Sequence, residues 1–392
     1  MELGTSQHTD REWARTGSPQ FSTSHAGRVS VPTADHAEGV ARRDPLHADE
    51  YFRALPEWNE SQNLFAISRA VRAILPSGFQ VSTMDVSDCL ASIRDLGMLA
   101  SSLARHGVNP TQVVRGLEEC LLELGQRVDM IPRDTVYHYG IWNPTGARER
   151  RFTSDPAEQV LIEAARLAAP GIDGGLDMLL QAVQLDFDDP EFARLCRASA
   201  KRLQVILCSV GKAKAGIPPE FFARTLRPYF AELELGGERY GGASAAPLSV
   251  CMFDHVLWGS DSDDEIFRAF QTKQIAYNLP SWRSLHADTL GAPSLVTRLF
   301  HSHLRGHRHP EALAAVLEIL HVLIVFRGRH RFVASRAYNA EIRQFDTGSG
   351  GYGVDTLNHL LQNIRQVSKR LRSLLDGCDE NSTGGQTCPV TM

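Results

Sequence analysis

The sequence lacks several features that would assign it directly to a common class of protein. Its seven cysteines include no C-x-x-C pair, so a zinc ribbon is not indicated and free thiols in a reducing compartment are expected. The formal net charge is −5, whereas phosphate binding needs a concentrated positive surface. The longest apolar run, residues 312–326, contains Glu318 and His321 and is too short to span a bilayer. These absences predict a small-molecule partner, no nucleic acid and no membrane.

Both ends of the chain are poor in large aliphatic side chains. Residues 1–45 are rich in Ser, Thr, Gly, His and charged residues, a composition that cannot bury enough surface to offset the entropy of ordering. Residues 377–392, GCDENSTGGQTCPVTM, have the same character. We expect a disordered leader over 1–45 and a disordered tail over 377–392. The first residues form no apolar stretch, which predicts no secretory signal and hence a cytoplasmic protein.

Between these ends the hydrophobic pattern is helical. Strand-type alternation is nearly absent, and apolar residues recur three and four positions apart, which predicts an all-α fold. The predicted helices are 62–74, 85–106, 109–126, 156–168, 173–185, 190–212, 218–230, 247–258, 263–276, 291–304, 310–341 and 353–375. A break rich in Pro, Gly and Arg over 129–155 predicts a smaller N-terminal helical domain (46–150) and a larger C-terminal helical bundle (151–376).

The long helix predicted over 310–341 contains the segment FRGRHRFVASRAY. At 3.6 residues per turn, His330 shares a face with Arg327 one turn earlier and with Ala334 and Ala337 in the turns that follow. A haem needs a nitrogen ligand for its iron, small neighbours beside the porphyrin and a cation for a propionate. This face offers all three. A single helical histidine is more often a structural or surface residue, so both interpretations stay open on spacing alone.

The other histidines are interpreted as structural. His321 lies on the opposite side of the same helix, amid ILHVLIVF, and is expected in the core. The stretch HSHLRGHRHP over 301–310 contains four imidazoles, but Arg305 and Arg308 stand between them and would repel a divalent cation. We expect a solvated helix end there.

Two further segments are rich in tiny residues. The first, GGASAAPLSVCMFDHVLWG over 241–259, either lets its backbone approach a flat ligand or forms a plain turn and helix cap. Asp254, in the helix that follows, has apolar neighbours and needs a partner, for which Arg327 is a candidate. The second, TGSGGYG over 347–353, lacks the lysine of a phosphate-binding loop and forms either a loop closing over a pocket or a simple turn.

Taken together, these segments resemble the haem-dependent indoleamine and tryptophan dioxygenase superfamily. The nearest resemblance is to its phenylpyrrole-forming branch, the monodechloroaminopyrrolnitrin synthases of the pyrrolnitrin pathway. It extends from about residue 82 to 375. The motifs that carry it are RDLGMLASSLARHG (94–107), IWNPT (141–145), FFARTLRPYF (221–230), DHVLWGSDSDD (254–264), FRGRH (326–330) and GSGGY (348–352).

This resemblance implies haem b as the cofactor, enclosed by the C-terminal helical bundle. His330 would be the proximal ligand of the iron, and Arg327, bridged to Asp254, would lie near a propionate. The backbone wall on the distal side would be the small-residue loop of Gly242, Ala243, Ser244 and Ala245.

The same resemblance implies an indole amino acid as the substrate. Arg227 would hold its carboxylate, and Phe222 would stack on its indole ring. Further contacts with the substrate would come from Tyr338, Ser349, Gly350 and Ala245. No distal histidine is evident, and the superfamily's distal serine falls on Ala164, so a protein base on that side is not assigned.

The expected function is haem-dependent oxidation of tryptophan or a halogenated tryptophan by dioxygen or a peroxide, with rearrangement to an aminophenylpyrrole. Formation of N-formylkynurenine by a 2,3-dioxygenase is the alternative. A haem sensor or carrier without turnover is a second alternative, against which the substrate-binding residues count. No catalytic residue beyond the haem iron is assigned, and the oligomeric state stays open.

Overall fold

The part of the chain that the structure describes is almost entirely helical. The computed structural model describes residues 34–244 and 249–383. Its α-helices are α1 (Ala34–Arg42), α2 (Asp49–Glu60), α3 (Leu64–Ile74), α4 (Gly78–Thr83), α5 (Val86–Arg105), α6 (Pro110–Val113), α7 (Leu117–Val128), α8 (Pro156–Ala182), α9 (Pro190–Leu203), α10 (Val205–Gly216), α11 (Val250–Asp254), α12 (Glu265–Ile275), α13 (Pro280–Thr289), α14 (Leu295–Leu304), α15 (Pro310–Ala337) and α16 (Val354–Thr383). The all-α prediction is confirmed. Within the described ranges, no helix combines the length and apolarity needed to cross a membrane.

Shorter elements interrupt the α-helices. Three are π-helical, Tyr137–Ile141, Phe221–Leu226 and His255–Gly259, and two are 3₁₀ turns, Gly146–Arg148 and Arg227–Phe230. Strands β1 (Leu233–Leu235) and β2 (Glu238–Tyr240) pair in antiparallel register. Their two-residue turn is Gly236–Gly237, with both φ angles positive at 62° and 79°, which suits a hairpin turn whose twist matches the strands.

Local capping explains why several predicted helix starts lie close to the observed ones. The side chain of Asp85 accepts a hydrogen bond from the Asp88 N–H at the start of α5. Asp264 does the same for the Phe267 N–H at the start of α12. Each carboxylate satisfies an N–H that has no partner within its helix.

The predicted break between 168 and 173 is wrong, because α8 runs unbroken through Pro170. Tight packing against the neighbouring helices holds the chain helical there. A Cβ atom on Gly171 would lie 2.3 Å from Val205 Cγ1 at the start of α10, and one on Gly175 would lie 3.1 Å from the Ser199 carbonyl oxygen of α9. The predicted helix 190–212 is in turn divided into α9 and α10.

The predicted leader and tail are each partly helical. Helix α1 lies inside the segment expected to be disordered. Packing explains why it is ordered: Val40 is fully buried, and Arg94 donates hydrogen bonds to the carbonyls of Val40 and Arg43. Helix α16 continues to Thr383, past the predicted start of the tail. Residues 1–33 and 384–392 lie outside the described residues. Helices α2, α4 and α13 are absent from the predicted set.

The hydrophobic core has two clusters, and both draw on residues from each side of position 150. The larger contains much of α8, α9, α15 and α16 but also Leu90 and Val136. The smaller contains much of α2, α3, α5 and α7 but also Ile162 and Phe230. The division into two domains at residue 150 stays a prediction.

A buried ion network fastens the N-terminal segment to the break at 129–155. Arg150 is fully buried and donates to Asp95 at 3.1 Å, Asp49 at 2.5 Å and Asp44 at 3.2 Å. Arg94 also pairs with Asp95, at 2.7 Å. The arginines that interrupt the helical pattern therefore hold α2 and the residues before it in place.

Candidate active site

His330 lies near the C-terminal end of α15 and is partly accessible. Its ring is parallel to that of Phe326, with centroids 5.7 Å apart, and no hydrogen bond joins it to another residue within the described ranges. Surrounding protein, and secondarily the charge of Arg327, lower the pKa of the imidazole to about 4. The ring is thus largely surrounded by protein and keeps some accessible surface. At neutral pH it is uncharged and able to ligate a metal.

Arg327, one turn before His330, forms an ion pair with Asp254 at the end of α11. Asp254 is fully buried and Arg327 is 8% exposed, and the indole N–H of Trp258 donates to the same carboxylate at 3.1 Å. Burial raises the pKa of Asp254, and Arg327 and Trp258 oppose that rise. The Nε atom of Arg327 is buried without a hydrogen-bond partner. This ion pair thus leaves one donor of the guanidinium unused.

The small-residue loop packs closely against the backbone of Phe230 at Gly242. A Cβ atom on Gly242 would lie 2.5 Å from the Phe230 Cα, so glycine is required there by the neighbouring backbone. Ala243 is buried, and Ser244 lines a cavity. Ala245 lies outside the described residues, so its predicted contact with the substrate has no structural counterpart here.

The cavity has a volume of about 260 Å³. It is bounded by the end of the Arg227–Phe230 turn, the small-residue loop, the end of α12 and the segment TGSGGYG over 347–353, the glycine loop. Its lining residues are Arg227, Phe230, Ala231, Glu232, Gly241, Gly242, Ser244, Lys273, Gln274, Tyr277, Phe345, Thr347, Gly348, Ser349, Gly350 and Gly351. The structure therefore brings together five of the predicted site positions that are distant in sequence: Arg227, Gly242, Ser244, Ser349 and Gly350.

Arg227 is the most unusual residue of this cavity, because it is 6% exposed and has no carboxylate partner among the described residues. Its Nη2 atom donates to the carbonyl oxygens of Thr347 at 3.3 Å and Gly348 at 3.2 Å, and its guanidinium lies 4.2 Å from the Phe345 ring centroid. The Nε and Nη1 atoms are buried and form no hydrogen bond of 3.5 Å or less among the described residues, although the Tyr338 hydroxyl lies close enough to raise the pKa of the guanidinium. Burial lowers the pKa of this arginine, as expected for a cation that is not neutralised.

Tyr338 and Phe222 lie beside this cavity, although neither is among its lining residues. Their rings make an edge contact with centroids 6.5 Å apart. Burial raises the pKa of the Tyr338 hydroxyl, and the charge of Arg227 and the N–H of Ser349 oppose the rise. Tyr338 therefore connects Arg227 with the glycine loop.

Gln274, in the last turn of α12, and Tyr277, just after that helix, hold the cavity walls. The sequence patterns did not indicate either residue. The Gln274 side chain donates to the Gly350 carbonyl at 3.2 Å. The Tyr277 hydroxyl accepts from the Gly241 N–H at 2.7 Å. One helix end thus binds both the glycine loop and the small-residue loop. No local spacing could have found these residues, because the loops they contact lie far away in the sequence.

Two predictions about histidines need correction. His321 is exposed, because α15 is apolar on most of its surface and the pattern alone does not indicate which side packs. His309 is buried rather than solvated: its Nδ1 lies 2.7 Å from Asp188 and its Nε2 lies 2.8 Å from the Ser302 hydroxyl. The neighbouring His301 and His307 are exposed, as expected.

Comparison with protein families gives one match that spans both groups of residues. The family model described as monodechloroaminopyrrolnitrin synthase PrnB matches residues 62–376. The matched range includes the Arg327–Asp254 pair, His330 and every residue that lines the cavity. The match extends the resemblance found in the sequence toward the N-terminus, into α3. The chain belongs to the monodechloroaminopyrrolnitrin synthase PrnB family, whose members are oxidative enzymes of the tryptophan-derived pyrrolnitrin pathway.

Proposed function

We propose that this protein is a haem b-dependent enzyme that oxidises tryptophan or a halogenated tryptophan and rearranges it to an aminophenylpyrrole. Membership of the PrnB family supports the pathway and the oxidative chemistry. The observation that carries the substrate class is the buried guanidinium of Arg227, which has no carboxylate partner among the described residues. A buried cation of this kind is costly unless an anion pairs with it, and the carboxylate of an amino acid is such an anion.

The residues around His330 fit a haem on the evidence of their own contacts. The imidazole is neutral at physiological pH, has no hydrogen-bond partner among the described residues and keeps some accessible surface. In our proposal His330 would hold the iron, and the unused Nε donor of Arg327 would be available to a propionate, while Asp254 fixes the guanidinium. The small side chains of Ala334 and Ala337 would let the porphyrin approach the helix beside His330. Bound haem would supply the oxidising chemistry, with dioxygen or a peroxide as the oxidant.

The substrate would be held by residues in and beside the cavity that contains Arg227. Arg227 would bind the carboxylate by a charge-assisted hydrogen bond from a guanidinium edge that carries Nε or Nη1. Phe222 stacks on the indole ring, with Tyr338 at its edge. Ser349 and Gly350 would contact the amino acid portion, and Gly242, Ala243 and Ser244 would form the wall between substrate and haem. The residues of this chain thus orient the indole and exclude water, which is their main contribution to the rate.

An optical titration of the ferric protein with tryptophan tests the proposal. A shift of the Soret band on saturation is expected, because the substrate would lie beside the iron. Absence of any shift, with normal haem content, would favour a haem carrier. Mass spectrometry of products formed from tryptophan and from 7-chlorotryptophan then separates an aminophenylpyrrole from N-formylkynurenine, and the second product would reject the proposed rearrangement.

A further inference from the structure

Glu232 lines the same cavity as Arg227 and follows it closely in sequence, between the Arg227–Phe230 turn and strand β1. Its side chain is 52% exposed, and its ion-pair partner is Arg239 at 4.0 Å, which is 74% exposed. An ion pair this long between two exposed side chains contributes little. Glu232 therefore keeps an almost free carboxylate at the solvent side of the cavity.

The charges of this cavity do not neutralise one another. Three charged side chains line the cavity: Arg227 is buried, whereas Glu232 and Lys273 are exposed, and within the described ranges no ion pair of 4.0 Å or less joins Glu232 to either cation. The negative charge of Glu232 nevertheless raises the pKa of Arg227 against the effect of burial. The two side chains are thus close enough to interact through space and too far apart to pair directly.

A zwitterionic amino acid carries charges that complement both Arg227 and Glu232. Its carboxylate and its ammonium group are carried by the same carbon atom and have opposite signs. With the carboxylate on Arg227, the ammonium would turn toward an acceptor elsewhere on the cavity wall. The carbonyl oxygens of Thr347 and Gly348 already accept from Arg227, whereas Glu232 offers an anion with only a weak partner.

We propose that Glu232 binds the α-ammonium group of the substrate, so that the cavity selects α-amino acids over other indole carboxylates. The proposal rests on the proposed function, in which Arg227 holds the carboxylate. A hydrogen bond from an ammonium to a carboxylate is among the stronger polar contacts in proteins. Glu232 would then be a specificity-determining residue that takes no part in the oxidation itself.

The test compares two variants in which a neutral amide replaces a carboxylate, one at the cavity and one in the neighbouring strand. Glu232→Gln removes the proposed acceptor, and Glu234→Gln removes an exposed carboxylate in strand β1 that does not line the cavity. Binding to the haem-loaded protein is measured by calorimetry with tryptophan and with indole-3-propionate, which keeps the carboxylate and lacks the amine. Melting temperature and haem spectrum establish that both variants are folded.

Glu232→Gln is expected to weaken tryptophan binding about tenfold, roughly the effect of losing one charged hydrogen bond. Indole-3-propionate should bind this variant as well as the wild type, or more tightly. Glu234→Gln should leave both ligands unaffected. In the wild type, tryptophan affinity should fall as the pH rises through the titration of its amine, and Glu232→Gln should lose most of that dependence.

Equal effects of Glu232→Gln on the two ligands would overturn this inference and leave the proposed function intact. So would a wild type that binds tryptophan no better than indole-3-propionate. If the wild type binds neither ligand, both the proposed function and this inference are wrong.

Discussion

Asp254 and Arg327 form an ion pair that is removed from solvent and joins positions 73 residues apart. The carboxylate is also fixed by the Trp258 indole N–H, at the junction where α11 passes into a π-helical segment. Such segments occur frequently at functional sites. The pair fixes the C-terminal part of α15, including His330, relative to α11.

Asp254→Ala should destabilise the protein by roughly 3–5 kcal/mol, because it leaves the Arg327 guanidinium buried without its counter-charge. Urea unfolding measures the loss. Replacing both partners, as in Asp254→Leu with Arg327→Leu, should cost less than the sum of the single changes, since no uncompensated charge remains. An Asp254→Ala protein with unchanged melting temperature and haem affinity would contradict the role assigned to the pair.

His330→Ala should give folded protein with greatly reduced haem, because an axial bond is lost while alanine is a better helix former than histidine. The ratio of Soret to protein absorbance measures haem content. His321→Ala is the matched control, since His321 lies on the same helix and is exposed. Normal haem content and an unchanged imidazole-type spectrum in His330→Ala would reject His330 as the ligand.

Arg227→Lys should weaken tryptophan binding by roughly 1.5–3 kcal/mol, because an ammonium carries its donors on one atom and cannot bind the two loop carbonyls and the carboxylate in the directions that the planar guanidinium allows. Binding of tryptamine, which lacks the carboxylate, should weaken much less, and haem content should stay normal. Arg224→Lys is the control, because Arg224 lies in the same segment but is exposed and paired with Glu220. Equal losses for tryptophan and tryptamine in spectral titrations would show that Arg227 acts on the fold or the haem instead.

Asp173 on α8 gives a prediction about pH. Burial, with a smaller contribution from Asp177, raises the pKa of its carboxyl from 3.8 to about 6, although the Ser249 hydroxyl opposes the rise by donating a hydrogen bond at 2.5 Å. Between these values the folded state keeps a proton that the unfolded chain has released, so the free energy of unfolding falls as the pH rises.

The asparagine of Asp173→Asn does not titrate between pH 4 and pH 6. Its stability relative to the wild type should therefore rise between pH 4 and pH 6, by on the order of 2 kcal/mol. Ser249→Ala provides the opposite change, because removal of the donor should raise the pKa of Asp173 further and extend the window to higher pH. Denaturant unfolding at several pH values measures both, and a pH-independent difference between Asp173→Asn and the wild type would disprove the assignment.

Local sequence patterns predicted the helices well where capping and periodicity agree, as at α5, α12 and α15. They failed where packing overrode a local signal. Pro170 predicts a break, but the close approach of Gly171 and Gly175 to the neighbouring helices keeps α8 continuous. The low apolar content of residues 34–42 predicts disorder, but the burial of one side chain, Val40, accompanies an ordered helix.

The sequence by itself determined the helical class, the family and the placing of His330 and Arg327 one turn apart, because each depends on local periodicity or on residues in one continuous motif. Only the tertiary structure decided that Asp254 reaches Arg327, that His321 faces solvent and that Glu232, Gln274 and Tyr277 share a cavity with Arg227. Those contacts join distant segments. They depend on which helix faces pack together, and a repeat of 3.6 residues describes the face of one helix without indicating its neighbour.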